Sequence, residues 1–370
     1  MLSKLLTPLV ALTVVLGFSI TPVSASDHPA RYTYTDLGVL GGLDSYAWTL
    51  NDRGQVTGHA DTSPNSGPRG FHAFLWTPFT TNGTTGSMID LFETSPADAS
   101  SIGNGINDCG LVVGESLAAD LSTSVAFIYK GSSFDLGSFG GTDSAANGIN
   151  GRGQVVGSSK KPNGIDQAFL WVPNHPGATK GHMYSLGKVP ASIGGVAYAI
   201  NSGGTVTGFS LDTGFIDHAF VWRPFTRNGT SGRMTALVEP PGATHSSAAA
   251  INDSGVIVGV MGLPTGEDHA FVYRTAMHDL GTLAGGHRSF ASDINSSGQI
   301  VGLSETFNAN PHAFIYANGH MTDLNKFLPP PVKSSGVVLS GAFGINDKGQ
   351  IVGDATVNGH AHAYLLTPVS

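Results

Sequence analysis

Hydrophobic and polar positions along this chain recur as a phrase, not as a helical stripe. An apolar residue followed by Asn stands at Leu50-Asn51, Ile106-Asn107, Ile149-Asn150, Ile200-Asn201, Ile251-Asn252, Ile294-Asn295 and Ile345-Asn346. A glycine lies three residues after each Asn and another four residues beyond that, with an apolar pair such as Val155-Val156 or Ile351-Val352 between them. The Asn positions are separated by 56, 43, 51, 51, 43 and 51 residues. Asn-x-x-Gly is turn chemistry: Asn closes a tight turn on its own backbone and Gly accepts the positive φ that ends it. The flanking segments are therefore expected to form a hairpin.

A second phrase follows each first one: "HAFLW" at 72, "VAFIY" at 125, "QAFLW" at 167, "HAFVW" at 218, "HAFVY" at 269, "HAFIY" at 312 and "HAYLL" at 362. A third closes most units, as in "MIDL", "MHDLG" and "MTDLN". Alternation of small or aliphatic residues with aromatics is the period of a strand, and no segment shows a helical period. Each unit then holds four short strands, a to d. Strand a is built mostly of Ala, Gly and Ser, as in "SAAAIN", which suits strands crowded around a common axis.

Units of this size are blades of a propeller or turns of a solenoid. The phase decides between them. The seventh unit stops after "HAYLLTPVS" without a strand d, and "YTYTDLGVLGG" near the start supplies a strand d with no a, b or c before it. A ring uses both by pairing the first strand into the last blade, which leaves no open edge. The expectation is an all-β, seven-bladed β-propeller over residues 31–370 as a single domain. The phrases "HAFLW", "HAFVY" and "INDKGQIVG" resemble the HAF-repeat family of extracellular proteins. That resemblance implies secretion and a propeller-like fold, and says little about chemistry. Val125 and Gln167 depart from it by replacing the His.

Composition narrows the function classes. Lys and Arg number 18 against 26 Asp and Glu, a formal net charge of -8, with no basic run; a nucleic-acid partner is not expected, because it needs clustered cations to displace counterions. Residues 1–25 carry Lys4, an apolar run and "VSA", and read as a signal peptide. Secretion to the exterior or periplasm follows as an expectation, with no membrane span after cleavage and a monomeric chain. Cys109 is the single cysteine, so no internal disulfide is available.

The five repeated histidines, His72, His218, His269, His312 and His362, would be spread once per blade and too far apart to share an ion. They are expected to hydrogen-bond within their blades, and neither metal nor cofactor is expected. Variation concentrates in the d–a and b–c connections, which share one face. There the candidate catalytic groups are His245, His287, Arg288 and Tyr46, and the candidate ligand-binding groups are Asp44, Asp143, Tyr198 and His59. The leading expectation is a binding protein for glycan or another cell-surface ligand. An alternative is a polysaccharide lyase, with Arg neutralising a uronic carboxylate and His or Tyr as base and acid, or a glycoside hydrolase using two Asp. A purely structural surface protein is the third. Gly/Thr/Asn-rich c–d extensions, "TPFTTNGTTGSM" and "RPFTRNGTSGRM", offer a rim on the other face.

Overall fold

A computed structural model describes residues 31–64, 70–92, 98–118 and 122–369; the expected signal segment lies outside the described residues. The described residues form seven four-stranded antiparallel sheets. Blade 1 uses Ser45–Leu50, Val56–Asp61, Phe71–Pro78 and Gly86–Asp90 as strands a to d. In blades 2 to 6 strand a begins at Asp98, Ser144, Gly194, Ser246 and Ser289, and the order a-b-c-d is kept. Blade 7 takes Val338–Ile345, Ile351–Val357 and His360–Pro368, and its fourth strand is Tyr32–Asp36 from the other end of the chain. Tyr34 lies opposite Leu366 and Asp36 opposite Tyr364, and the Leu37 N–H donates to the Ala363 carbonyl at 2.9 Å. This is the seven-bladed propeller that the phase of the repeat predicts, closed where the phase places the closure.

The repeated Asn does more than make its turn. In blade 3 the Asn150 Oδ1 accepts the N–H groups of Arg152 at 3.0 Å and Gln154 at 3.1 Å, and Gly153 ends the turn with φ of +80°. The Nδ2 of each Asn then crosses to the next blade and donates to the backbone carbonyl of that blade's Asn. The bonds run from Asn51 to Asn107, Asn150, Asn201, Asn252, Asn295 and Asn346, and from Asn346 back to Asn51, at 2.9–3.3 Å. One side chain thus satisfies a hairpin and a blade junction together, in sites that are almost fully buried. Seven copies close a belt around the axis.

Apolar packing lies between blades. One cluster joins Val56, Phe74 and Trp76 of blade 1 to Val352 and Leu365 of blade 7, and another joins Val156 and Leu170 of blade 3 to Val206, Phe220 and Trp222 of blade 4. The strand-c aromatics are therefore core, at roughly 1.5–3 kcal/mol for each large side chain removed from water. A serine at the start of strand a adds a polar latch to the preceding blade: Ser45 accepts the Ala363 N–H at 2.9 Å, and Ser289 the Ala270 N–H at 2.8 Å.

Four of the repeated histidines meet an acid that ends strand d of their own sheet, His72 with Asp90 at 2.7 Å, His269 with Asp279 at 2.9 Å, His312 with Asp323 at 2.9 Å and His362 with Asp36 at 2.7 Å, and the fifth, His218, meets Glu239 three residues beyond its strand d at 3.0 Å. In blade 3, where Gln167 replaces His and Ser185 replaces the acid, the Gln Nε2 donates to the Gly187 carbonyl at 2.7 Å instead. The His is a structural tie between strands c and d. The c–d extensions fold back onto the a–b turns: the Asn82 N–H donates to the Arg53 carbonyl at 3.0 Å, and Gln350 Nε2 of blade 7 to the Asn82 carbonyl at 3.2 Å.

Candidate functional site

Every strand a carries a bulge at the same place. The ladder to strand b shifts register between Ala47 and Thr49, between Ala197 and Ala199, and at the equivalent point of the other blades. The extra residue sits three before the belt Asn: Trp48, Asn104, Asn147, Tyr198, Ala249, Ser292 and Phe343. The second repeated glycine explains the bulge. A Cβ on Gly58 would collide with the Tyr46 carbonyl, and one on Gly208 with the Val196 carbonyl; without it the bulged backbone folds inward onto strand b. Strand a is innermost, so the extra side chain turns to the axis. All seven line one cavity of about 600 Å³. Ile106, Ile149, Ile200 and Ile251 border both this cup and a smaller space of about 300 Å³ at the Asn belt, where Asp52, Asp108, Asp253 and Asp347 stand.

The cup wall is uneven. On one side Trp48 and Phe343, from neighbouring blades 1 and 7, meet with ring centroids 4.9 Å apart. Tyr198 stands on blade 4 and packs on Phe209 at 5.7 Å. Asn104 and Asn147 occupy blades 2 and 3; their Nδ2 groups donate to Ala146 O at 3.1 Å and Ala197 O at 2.9 Å, and both residues line the cup. Phe290 and Asp293 belong to blade 6. The Asp293 Oδ1 accepts the Ile294 N–H at 2.8 Å and Oδ2 the Ile345 N–H at 2.9 Å. Burial pushes its pKa up to about 7, against the pull of those two N–H groups.

Behind Trp48 lies a polar-aromatic support. The indole Nε1–H donates to His59 Nδ1 at 3.1 Å. The imidazole is stacked on Tyr46 and tilted against Phe71, each 4.9 Å away. Burial lowers the His59 pKa from 6.5 to about 4, so the ring is neutral, accepts at Nδ1 and holds its proton on Nε2. A lowered folded value means that the unfolded chain binds the proton more readily. The His59 contribution to stability is therefore complete above about pH 6.5 and is lost as pH falls toward 4. Acid titration of Trp emission is expected to show a step near pH 4 that disappears in Trp48→Phe; a step near 6.5 would contradict the buried, indole-bonded imidazole.

The sequence-derived candidates divide into groups. Tyr46 and Tyr198 lie inside strand a, not in the d–a connections assigned to them, and His59 lies inside strand b, not in a b–c connection. Tyr46 and His59 stack together in blade 1, and Tyr198 reaches the cup. Burial, then the charges of Asp44, Asp354 and Asp61, raises the Tyr46 pKa. Asp44 ties blade 1 to blade 7 by accepting the Ala361 N–H at 2.8 Å, with His360 Nδ1 at 3.5 Å. Burial works against the ionised form of Asp143, but Lys160 at 2.6 Å and the Thr142 hydroxyl more than offset it and hold its pKa below the usual range. On the rim of blades 5 and 6, His245 Nε2 and Arg288 Nε approach Asp268 at 3.3 and 3.9 Å, and His287 binds Glu267 at 2.8 Å. These three are brought together. Tyr46, on blade 1, does not join them. Trp48, Phe343, Asn104, Asn147, Ser292 and Asp293 escaped the sequence reading. Their signal is a position of free variation, three residues before an unvarying Asn, inside an otherwise regular phrase.

Fold and cup together define the class: a β-propeller whose variable residues face a closed-sided axial cavity. Residues 191–364 match a protein family described as a protein of unknown function, DUF3466. No curated protein matches the chain. Among solved structures, the chain is similar to Trypanosoma rangeli sialidase in complex with the inhibitor DANA, with 10% identity, a TM-score of 0.45, and coverage of 89% of this chain and 55% of that one. It is also similar to the β-propeller domain of the Trilobed protease from Pyrococcus furiosus, with 8% identity, a TM-score of 0.43, and coverage of 78% of this chain and 100% of that one. The chain spans about half the length of the sialidase chains it matches, 54% in the first. Among the described residues no helix is long and apolar enough to cross a membrane.

Proposed function

We propose that the protein is a secreted binding protein that takes a carbohydrate, free or on a cell surface, into the axial cup. The observation that carries this reading is the ring of seven bulge residues: a conserved frame within the chain delivers one chemically different side chain per blade to a single cavity. Trp48, Phe343 and Tyr198 offer ring faces for the apolar C–H faces of a sugar, and the side-chain amides of Asn104 and Asn147 offer polar partners for its hydroxyl groups. The lyase reading needs a free Arg and a base aimed at a common point. Here Arg288 and His245 both turn to Asp268, and the Tyr candidates stand on other blades, so binding is favoured over turnover.

Titration of the full chain with soluble oligosaccharides tests this by calorimetry and Trp emission. Trp48→Ala is expected to weaken binding by about tenfold or more, equivalent to ~1.4 kcal/mol. Blade 5 already carries Ala249 at that position, so the substitution leaves the frame intact. Accumulation of unsaturated sugar product would overturn the binding reading in favour of a lyase. Neither binding nor product on any polymer would leave the structural role.

A further inference from the structure

We infer that the cup selects a ligand carrying a protonated amine, which in the carbohydrate class means an amino sugar whose nitrogen is not acetylated. This rests on the carbohydrate-binding reading and adds a charge requirement to it. The arc of wall contributed by the adjacent blades 6, 7 and 1 holds Phe290, Asp293, Phe343 and Trp48 in succession. The position of Asp293, two before the belt Asn, is Thr49, Gly105, Gly148, Ala199, Ala250 or Gly344 in the other blades. Six blades thus build the same junction without a charge there, and the need to cap the Ile345 N–H does not account for one.

Among the described residues no Lys, Arg or His lines the cup, and Asp293 has no ion-pair partner within 4.0 Å. The other titratable group acting on it is Asp347, of the same sign; Tyr198, across the cup, is neutral, its own pKa raised by burial and then by Asp217. Asp293 is half-buried at the cup wall, and a carboxylate partly withdrawn from water without a cation is unfavourable. Each of its oxygens uses one lone pair on a backbone N–H and keeps another. An ammonium group placed here would gain the carboxylate and the π-faces of Trp48 and Phe343 together. A metal ion would find one carboxylate and a largely aromatic wall, a poor donor set for a hard cation.

The experiment is calorimetric titration of the full chain at neutral pH with β-linked glucosamine oligomers, matched N-acetylglucosamine oligomers and neutral glucose oligomers. The free-amine form is expected to bind about tenfold more tightly than its acetylated match, the preference fading with added salt. Asp293→Asn is expected to erase the preference for the free-amine form over its acetylated match. Asp293→Thr, which copies Thr49 of blade 1, is expected to do the same and guards against misfolding in the first variant. Equal or tighter binding of the acetylated or neutral oligomers to the parent protein would overturn the charge requirement and leave the carbohydrate reading standing. A preference that survives both variants would overturn the role of Asp293. Failure of all three ligands would overturn both readings.

Discussion

Deletion of residues 31–37 is expected to cost the largest share of stability of any single change. Tyr32 and Leu37 are buried, and Tyr34 packs beside Tyr364 at 6.3 Å. Returning these three side chains to water removes roughly 5 kcal/mol of apolar burial, before the ladder bonds to His360–Pro368 and the His362–Asp36 tie are counted. For a chain of this size that loss alone should lower the midpoint of thermal unfolding by about 7 °C. The strand His360–Pro368 would become an open edge, a template for pairing with another molecule. Scanning calorimetry should show the lower midpoint, and size-exclusion chromatography should show association. An unchanged midpoint would mean that the last blade does not depend on its borrowed strand.

Asn150→Ala should come second. The side chain accepts two backbone N–H groups and donates to Gln154 Oε1 at 2.9 Å and to the Asn201 carbonyl at 3.3 Å. It is buried, so no water replaces those partners. Unsatisfied buried groups cost about 1–3 kcal/mol each, and a total loss of roughly 3 kcal/mol is expected in chemical denaturation. Asn147→Ala, three residues earlier, makes an internal contrast. Its Nδ2 gives one bond to Ala197 O and its residue faces the cup, so the loss there should stay near 1 kcal/mol. Equal effects at the two positions would argue that the belt has no special energetic role.

The belt shows how function within the repeat divides between visible and hidden. Asn-x-x-Gly announces a turn because Asn and Gly act on their own neighbouring backbone, and the structure has that turn in all seven blades. The second use of the Asn, through Nδ2, depends on a carbonyl 43 to 56 residues away, or 295 for the last bond. Nothing local marks it. The histidines divide in the same way: a structural tie was legible from the repeat, but the acid at the end of strand d was identified as the partner only in space.

The site was less legible for a physical reason. Loops vary freely and carry function as a rule, which points to His245, His287 and Arg288. Those residues do gather, but around Asp268 and Glu267 on the rim. The cup is built instead from strand a, whose Ala, Gly and Ser composition suggests crowding at the axis. Crowding is real at the other positions of the strand. At the bulge, the glycine of strand b lets the backbone swing inward, and a side chain as large as Trp48 fits because it enters empty axial space.

Residue periodicity, and the phase of the repeat at the two ends of the chain, carry the strands, their number, the turn between strands a and b, and the circular closure; the short helices Leu324–Phe327 and Pro330–Ser334 between blades 6 and 7 have no such period and appear only in the structure. Which atoms join one blade to the next, and which side chains share the axial cup, is visible only in three dimensions. Both depend on angles between sheets that are distant along the chain, and a one-residue bulge is enough to turn Trp48, Tyr198 and Phe343 from the blade toward the axis.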